Sequence, residues 1–489
     1  MKKLARLCRS KALHRGSTPV GSVPNGPWQS RPWRGRWQAA ALAATLLVPT
    51  VLTTTAAPTR ASLTEPSLPG TSLAGTSFTG ASFSDSPKAV LDEAWQIVYR
   101  EYVDPTFNHT DWVAIRQGLL GQSYRSRQAA YAELRRVLRR LNDPYTRFLD
   151  PDQYASLTEQ TAGEVSGVGM QFKRENGKLV ITAVVDDSPA ANAGIRAGDQ
   201  LLLVDGRATD RLSVQAVSQL VRGTEGTQVT LTLERNNGRQ ETLIVTRAVI
   251  EVPSVTYDVR EQDGVRVGYI RLSEFNAHAA EQMQGAIEAL DNDEAVEAFI
   301  LDLRNNPGGL YQASVEISRM WLRRGPIVRT VYREGESEAI TANRTDLTDL
   351  PLAVLVNGQS ASSSEIVTGA LGDNDRAVVV GSPTFGKALV QSLHGLADGS
   401  GIAVTVAHYY TPNGTDISSK GITPDVQVDL TDQERRTLLQ NPDLLGTAAD
   451  PQFLEAVEAL TPDILARRQD PTPAVAIPTS EVPQLGQTL

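Results

Sequence analysis

The sequence predicts a multidomain α+β protein, and three changes of hydrophobic pattern along it carry that prediction. Leu91, Trp95, Val98 and Tyr102 recur at helical spacing, the mark of a helix with one buried face. From residue 164 short strands alternate with glycine turns. From residue 265 the strands become unbroken apolar runs separated by helices, as in an α/β unit whose sheet is covered on both faces. At 489 residues the chain is too long for one ordinary core, since domains run to roughly 100–200 residues.

Charge separates the head of the chain from its body. The first 64 residues carry ten Lys or Arg and no Asp or Glu, which leaves 37 basic against 56 acidic residues, about −19, in the remainder. Such a body has no basic face for phosphates, so no nucleic-acid partner is expected. Nine of the basic residues precede residue 38, and Ala39 to Leu52 then forms a 14-residue apolar run broken by Pro49. A basic head before an apolar run shorter than the roughly 20 residues of a membrane span is a signal-peptide pattern. Residues 1–61 are therefore expected to be an export leader, cleaved at Thr59-Arg60-Ala61. Cys8, the one cysteine, leaves with it, which excludes thiol nucleophiles, thiolate metal sites and disulfides from the mature chain.

Residues 62–86 are rich in Ser, Thr, Gly and Pro and read as a flexible linker, although Leu63, Leu68, Leu73, Phe78 and Phe83 recur every five residues. Ser86-Pro87 is a helix start, a capping hydroxyl before a proline in the first turn. A second helical stretch from Arg127 to Leu141 carries Tyr131, Leu134, Val137 and Leu138 and ends at the turn Asn142-Asp143-Pro144. A helical domain is expected over 87–163.

Residues 164–252 contain GEVSGVGMQF, KLVITAVV, DDSPAANAGIRAGDQLLLVDG, the helical stretch SVQAVSQLVRG and TQVTLTLER. This order resembles a PDZ domain. The resemblance rests on Gly167-Val168-Gly169-Met170 and on the run from Ser188-Pro189-Ala190 through Gly194 and Gly198-Asp199 to Asp205-Gly206. It implies that Gly167, Val168, Gly169 and Met170 form the loop that binds a terminal carboxylate, with the peptide added to the sheet as an extra strand.

Residues 253–430 form the α/β unit. Three of its apolar strands lead into LRNNPGG, NGQSASSSE and GSPTFGK, and sites in such sheets gather at the carboxyl ends of strands. A histidine base is not evident. His109, His278, His394 and His408 have no G-x-S-x-G elbow beside them, and no H-E-x-x-H metal helix exists. The stretch 381–388, GSPTFGKA, falls one residue short of a nucleotide-binding P-loop, with Ala388 lacking the hydroxyl that holds Mg²⁺. The segment 431–489 contributes one helix, PQFLEAVEAL, and a Pro-rich disordered tail.

In the same order along residues 87–430 stand EAWQIVYREYVD, LNDPYTRFL, the PDZ run, LDLRNNPGG, NGQSASSSEIVTGAL, GSPTFGKALVQ and GITPD. Together they resemble the carboxyl-terminal processing peptidases, or tail-specific proteases. The resemblance implies a peptidase domain of crotonase-like or Clp-like fold and a Ser-Lys dyad of Ser362 and Lys387, with Glu365 and Gln391 orienting them. It also implies an oxyanion hole of Gly308 and the Ser363 N–H. Ser360, Ser363 and Ser364 are close decoys for the nucleophile. A lysine can serve as base only if burial lowers its pKa, and Phe385, Ala388, Leu389 and Val390 are the apolar neighbours expected to bury it. Glu365 and Gln391 stand one helical turn after Ser362 and Lys387. Asp302 and Arg304 are expected to order their loop and take no chemical part.

The implied activity is serine endoproteolysis of C-terminal extensions, without cofactor or metal. Its partners are proteins with free C-termini, and membrane-protein substrates imply peripheral membrane association. The segments EAWQIVYREYVDPTFN and LNDPYTRFLDPDQY look most like the photosynthetic branch that trims a photosystem II reaction-centre precursor in the thylakoid lumen. A periplasmic quality-control protease is the alternative, and a non-catalytic tail-binding scaffold the alternative of another class.

Overall fold

The computed structural model describes residues 86–469, apart from Glu294 and Glu336. The leader at 1–61, all of the linker before Ser86 and the Pro-rich tail lie outside the described residues.

Helix formation starts where the Ser86-Pro87 pair predicts. The Ser86 hydroxyl accepts the Lys88 N–H at 3.3 Å, and Pro87 opens the helix Pro87–Glu101. Leu91, Trp95 and Val98 are buried, as is Tyr102 at the helix end. The helices Trp112–Gly121 and Arg127–Leu138 complete a small bundle, and a 3-10 turn at Arg139–Leu141 hands over to Asn142 at φ 52°. This bundle shares its core with a distant part of the chain. Leu134, Leu138 and Phe148 pack with Leu396, Ile402 and Val404, which belong to or adjoin the hairpin strands Leu389–Gly395 and Gly401–Tyr410. The strand Arg147–Leu149 pairs antiparallel with the second of these, Arg147 opposite Ala403.

The next unit has its own core, including Leu179, Ile181, Leu201, Val217 and Leu231. Its sheet runs Met170–Glu175, Lys178–Val184, Gln200–Val204, Gln228–Glu234, Gln240–Thr246, in that spatial order. The helix Val214–Val221 starts at Ser213, whose hydroxyl accepts the Ala216 N–H at 3.1 Å. Met170–Glu175 stands at the sheet edge, the position at which an extended peptide can add as a further strand.

In the third unit Val255–Gln262, Val265–Leu272, Ala298–Asp302, Leu352–Val356, Val378–Gly381 and Val426–Gln427 lie side by side, the first antiparallel and the rest parallel. Successive residues face opposite sides of a sheet. Phe299, Leu301, Val354 and Val356 pack on the helices Ala279–Asp291, Tyr311–Trp321 and Ser363–Asp373. Ala298, Ile300, Ala353 and Leu355 pack on Phe453, Val457, Leu460 and Ile464 of the helix Pro451–Gln469. Both faces are covered, which is why these strands show no alternation in the sequence.

The C-terminal stretch differs from the single short helix expected there. Pro451–Gln469 runs on through Pro462, and a second helix, Asp432–Gln440, precedes it. The latter buries only Leu438, so no apolar period marks it. Its start is set by a capping box in which Thr431 and Glu434 exchange hydrogen bonds.

Candidate active site

Three loops meet at the carboxyl ends of neighbouring parallel strands, residues 303–309, 357–362 and 382–388. Backbone bonds tie them together: the Ala361 N–H donates to Asn306 O at 3.1 Å, and the Phe385 N–H to Ser360 O at 3.0 Å. Below them Arg304 donates to Asp302 at 2.6 Å and to Asp450 at 2.7 Å, all three side chains being buried. Asp302 and Arg304 thus form a closed ion network under the loop, as expected of an ordering role.

Ser362 sits where the second loop enters the helix Ser363–Asp373. It is fully buried and has φ 56°, ψ −113°, a conformation that costs a residue with a side chain about 1–3 kcal/mol and persists only when its surroundings impose it. Its N–H donates to Glu365 Oε2 at 2.8 Å. The neighbouring serines have other tasks. Ser360 Oγ donates to Leu303 O at 2.8 Å, Ser363 Oγ to Gly309 O at 3.0 Å and Ser364 Oγ to Asn306 O at 2.9 Å, so each braces one loop against another.

Glu365 is entirely buried. Its Oε1 accepts the Thr384 hydroxyl and the Gly386 N–H, both at 2.6 Å, and its Oε2 accepts the Ser362 N–H at 2.8 Å and the Lys387 N–H at 2.9 Å. The Thr384 oxygen itself accepts the Ile422 N–H at 2.7 Å, so all four partners of Glu365 are donors and the carboxylate form satisfies them. Burial nevertheless pushes the carboxyl up from its ordinary value. Glu365 therefore orients through the main chain, fixing the backbones at 362 and 387 to one another. Tyr409 adds a second link, its hydroxyl lying 2.5 Å from Lys387 O and 3.1 Å from Ser362 O.

Lys387 is 3% exposed. Burial brings its pKa down from 10.5 to about 7, the like charge of Arg147 adds to the shift, and Asp143 and Glu365 oppose it. Ala388 and Val390 are buried as expected, whereas Phe385 is 46% exposed and gives little shelter. The Lys387 Nζ donates to Gln391 Oε1 at 3.0 Å and lies 4.9 Å from the centre of the Tyr145 ring. The spacing of four between Lys387 and Gln391 is not a helical turn here. Gln391 belongs to the strand Leu389–Gly395, at a bulge between Val390 and Gln391, and bulges redirect side chains in this way. Its Nε2 donates to the Tyr145 carbonyl at 2.5 Å, and because that carbonyl only accepts, Oε1 must face the lysine.

Gly308 lies against the same elbow at φ 101°, where a Cβ would meet Ala361 O at 2.7 Å and Ser362 Cβ and Ser363 N at 2.9 Å. Only glycine allows this approach. Its N–H donates to Asn306 Oδ1 at 2.9 Å, so that amide already has a partner. The histidines serve elsewhere: His394 pairs with Glu101 at 2.7 Å, His278 with Glu164 at 3.2 Å, and His109 and His408 are exposed.

Gly167, Val168, Gly169 and Met170 line a different site, a groove of about 320 Å³ between the edge strand Met170–Glu175 and the helix Val214–Val221. Gly169 has φ 83°, and a Cβ there would run into the Ser188 side chain. Val168 is 1% exposed and Gly167 pairs with Ala248, so the turn proper is Gly169. Sequence reasoning assigned no role to Thr384, Tyr409 or Tyr145. Thr384 and Tyr145 lie within GSPTFGK and LNDPYTRFL, while Tyr409 has no motif around it.

A serine on a strained elbow, tied through one carboxylate to a desolvated lysine, is an arrangement that a serine peptidase without a histidine base can use. Residues 266–428 match the model of peptidase family S41 and residues 180–235 that of the PDZ domain. The carboxyl-terminal-processing protease of Synechocystis sp. is 41% identical over 392 residues, covering 79% of this chain and 90% of its own. The corresponding protease of Picosynechococcus sp. is 43% identical over 377 residues, covering 76% and 89%. The chloroplastic carboxyl-terminal-processing peptidase 3 of Arabidopsis thaliana is 39% identical over 356 residues, covering 69% and 68%. A solved photosystem II D1 C-terminal processing protease is 36% identical, with a TM-score of 0.48, covering 75% of this chain and 99% of that one. The chain belongs to peptidase family S41, as a serine-type C-terminal processing peptidase that carries a PDZ domain and acts on the C-terminal regions of proteins. A Ser-Lys dyad is a property of that family. Among the described residues no helix is long and apolar enough to cross a membrane.

Proposed function

We propose that Ser362 is the nucleophile and Lys387 its general base. The carrying observation is the burial of Lys387, which brings its pKa to about 7 and so makes the neutral amine accessible at working pH. Neutral Lys387 takes the Ser362 proton as Oγ attacks the scissile carbonyl. The resulting ammonium returns that proton to the leaving amine, and water then hydrolyses the acyl-enzyme by the same route in reverse. Gln391 orients the amine and Glu365 the two backbones. The Ser363 N–H, at the first turn of its helix, and the Gly308 N–H receive the oxyanion. To do so, Gly308 exchanges its bond to Asn306.

In this reading residues 87–163, 164–252 and 253–430 are the helical, PDZ and peptidase domains, and the groove at Gly167 to Met170 holds the substrate's terminal carboxylate. The exported enzyme trims the C-terminal extension of a photosystem II reaction-centre precursor in the thylakoid lumen, associating peripherally with the membrane that holds it. Support comes from the similarity to cyanobacterial and chloroplastic processing peptidases along about nine-tenths and two-thirds of their respective lengths. The test is to incubate the extended precursor with wild-type and Ser362→Ala protein and map the cut by mass. A single wild-type cut that frees the extension is expected. No cut by wild type, with cleavage of unrelated denatured proteins instead, would point to periplasmic quality control.

A further inference from the structure

Residues 142–147 leave the helical bundle and cross to the base. Asp143 braces their turn, Oδ1 accepting the Tyr145 N–H at 2.8 Å and Oδ2 the Thr146 hydroxyl at 2.7 Å. Thr146 Oγ1 accepts the Thr405 N–H at 3.0 Å, and Arg147 pairs with Ala403, so two successive residues are fastened to the hairpin strand Gly401–Tyr410. From this anchorage Tyr145 holds Gln391 through its carbonyl and faces Lys387 with its ring.

Arg147 stands on the same sheet face as Gln391. Its partner Ala403 and the partner of Gln391, Thr405, are two residues apart on one strand, and residues two apart share a face. The opposite face is occupied by Phe148 and Ile402 in the core of the bundle. Arg147 is partly buried, and among the described residues its guanidinium has no hydrogen bond or ion pair. Burial also holds it below its ordinary pKa.

We propose that Arg147 is a positioning residue for the reaction, an anchored and unneutralised cation whose charge favours the lysine that has lost its proton. The proposal rests on Lys387 being the base. The groups facing Lys387 act in opposite senses: Asp143 and Glu365 favour the ammonium, as does the Tyr145 ring, and Arg147 works against them. The four donors on Glu365 already stabilise that carboxylate. Burial supplies the larger part of the preference for the neutral amine, and a cation held in place adds to it against the groups that favour the ammonium.

The test is the pH dependence of kcat and kcat/KM for wild type, Arg147→Gln, Arg147→Lys and Asp143→Asn on one peptide substrate, with folding checked by thermal melts. Removing one nearby charge shifts a buried neighbour by roughly 0.5–1 pH unit. Arg147→Gln is expected to move the inflection of kcat upward by about that amount and to regain wild-type kcat at alkaline pH. Arg147→Lys should keep the wild-type inflection, and Asp143→Asn should move it downward. If Arg147→Gln does not fold, Arg147→Met keeps the stem and replaces it in the series. An equal loss at every pH, a change in KM alone, or an unmoved inflection overturns the proposal. Cleavage that survives Lys387→Ala would instead overturn the assignment of the base, a separate outcome.

Discussion

Replacing Lys387 by Met should make the protein more stable in acid and neutral solution while abolishing its activity. The folded pKa, about 7, lies below the value of 10.5 for a free lysine. Between these values the unfolded chain binds a proton that the folded protein does not, so this residue's contribution makes stability rise with pH across that window. Below pH 7 both states carry the proton and the folded state bears the whole penalty. At 1.36 kcal/mol per unit, a difference of about 3.5 units is worth about 5 kcal/mol. Methionine keeps the stem but leaves Gln391 Oε1 without its donor, a loss of about 1–3 kcal/mol. The net gain at pH 6 is then about 2–4 kcal/mol, a sizeable part of the roughly 5–15 kcal/mol that holds a domain together. Near pH 10.5 the gain should vanish and reverse, because only the lost hydrogen bond remains. Urea denaturation at pH 6, 8 and 10, in a Ser362→Ala background to prevent self-digestion, measures this directly. Equal or lower stability of Lys387→Met at pH 6 would show that Lys387 carries no burial penalty and would refute its assignment as a desolvated base.

Activity of the wild type should climb through an inflection in kcat/KM near pH 7, with that in kcat at or below it because substrate completes the burial. A profile abolished by replacing His394 or His408 would contradict the dyad. Ser362→Ala should eliminate cleavage, whereas Ser360→Ala and Ser364→Ala should lower stability by about 1–3 kcal/mol through a lost buried hydrogen bond and still cut, as read by denaturation and peptide assay together. Glu365→Gln should reduce kcat at least 100-fold and lower the melting temperature, since an amide nitrogen would then confront N–H or O–H donors; wild-type kinetics would show that the four-bond clamp is dispensable. Amidating the substrate's C-terminus, or Gly169→Ala in the enzyme, should raise KM; unchanged KM in both would exclude the groove at Gly169 from substrate selection.

The proposed dyad could be picked out because Ser362 and Lys387 lie inside dense local motifs, and the alternation of helix and apolar strand marked the α/β unit. What escaped was contact between remote segments. Gln391 came from the family resemblance, and its spacing was read as a helical turn where a bulged strand stands. Glu365 was read as orienting its neighbours one helical turn away, while three of its four hydrogen bonds reach across to residues 384, 386 and 387. Tyr409 looks like one more aromatic in a strand, and no local pattern reveals that its hydroxyl reaches two backbones. The helix Asp432–Gln440 was invisible to hydrophobic periodicity because it has almost no apolar face.

The fastening of the first strand to the late hairpin bears on when this enzyme can become dangerous to its maker. Thr146 meets the chain 259 residues further on, and Tyr145 meets Gln391 across 246. Contacts of such sequence separation form late in folding, because the loop they close must be ordered first. A ribosome-bound or partly translocated chain that ends before the second hairpin strand has no partner for Arg147–Leu149 and lacks Ile402 and Val404 from the core around Leu134 and Phe148. The contacts that hold Tyr145 beside Lys387 therefore cannot close until residues 401–410 have been made, and the order of synthesis acts as a timer on the assembly of the proposed site.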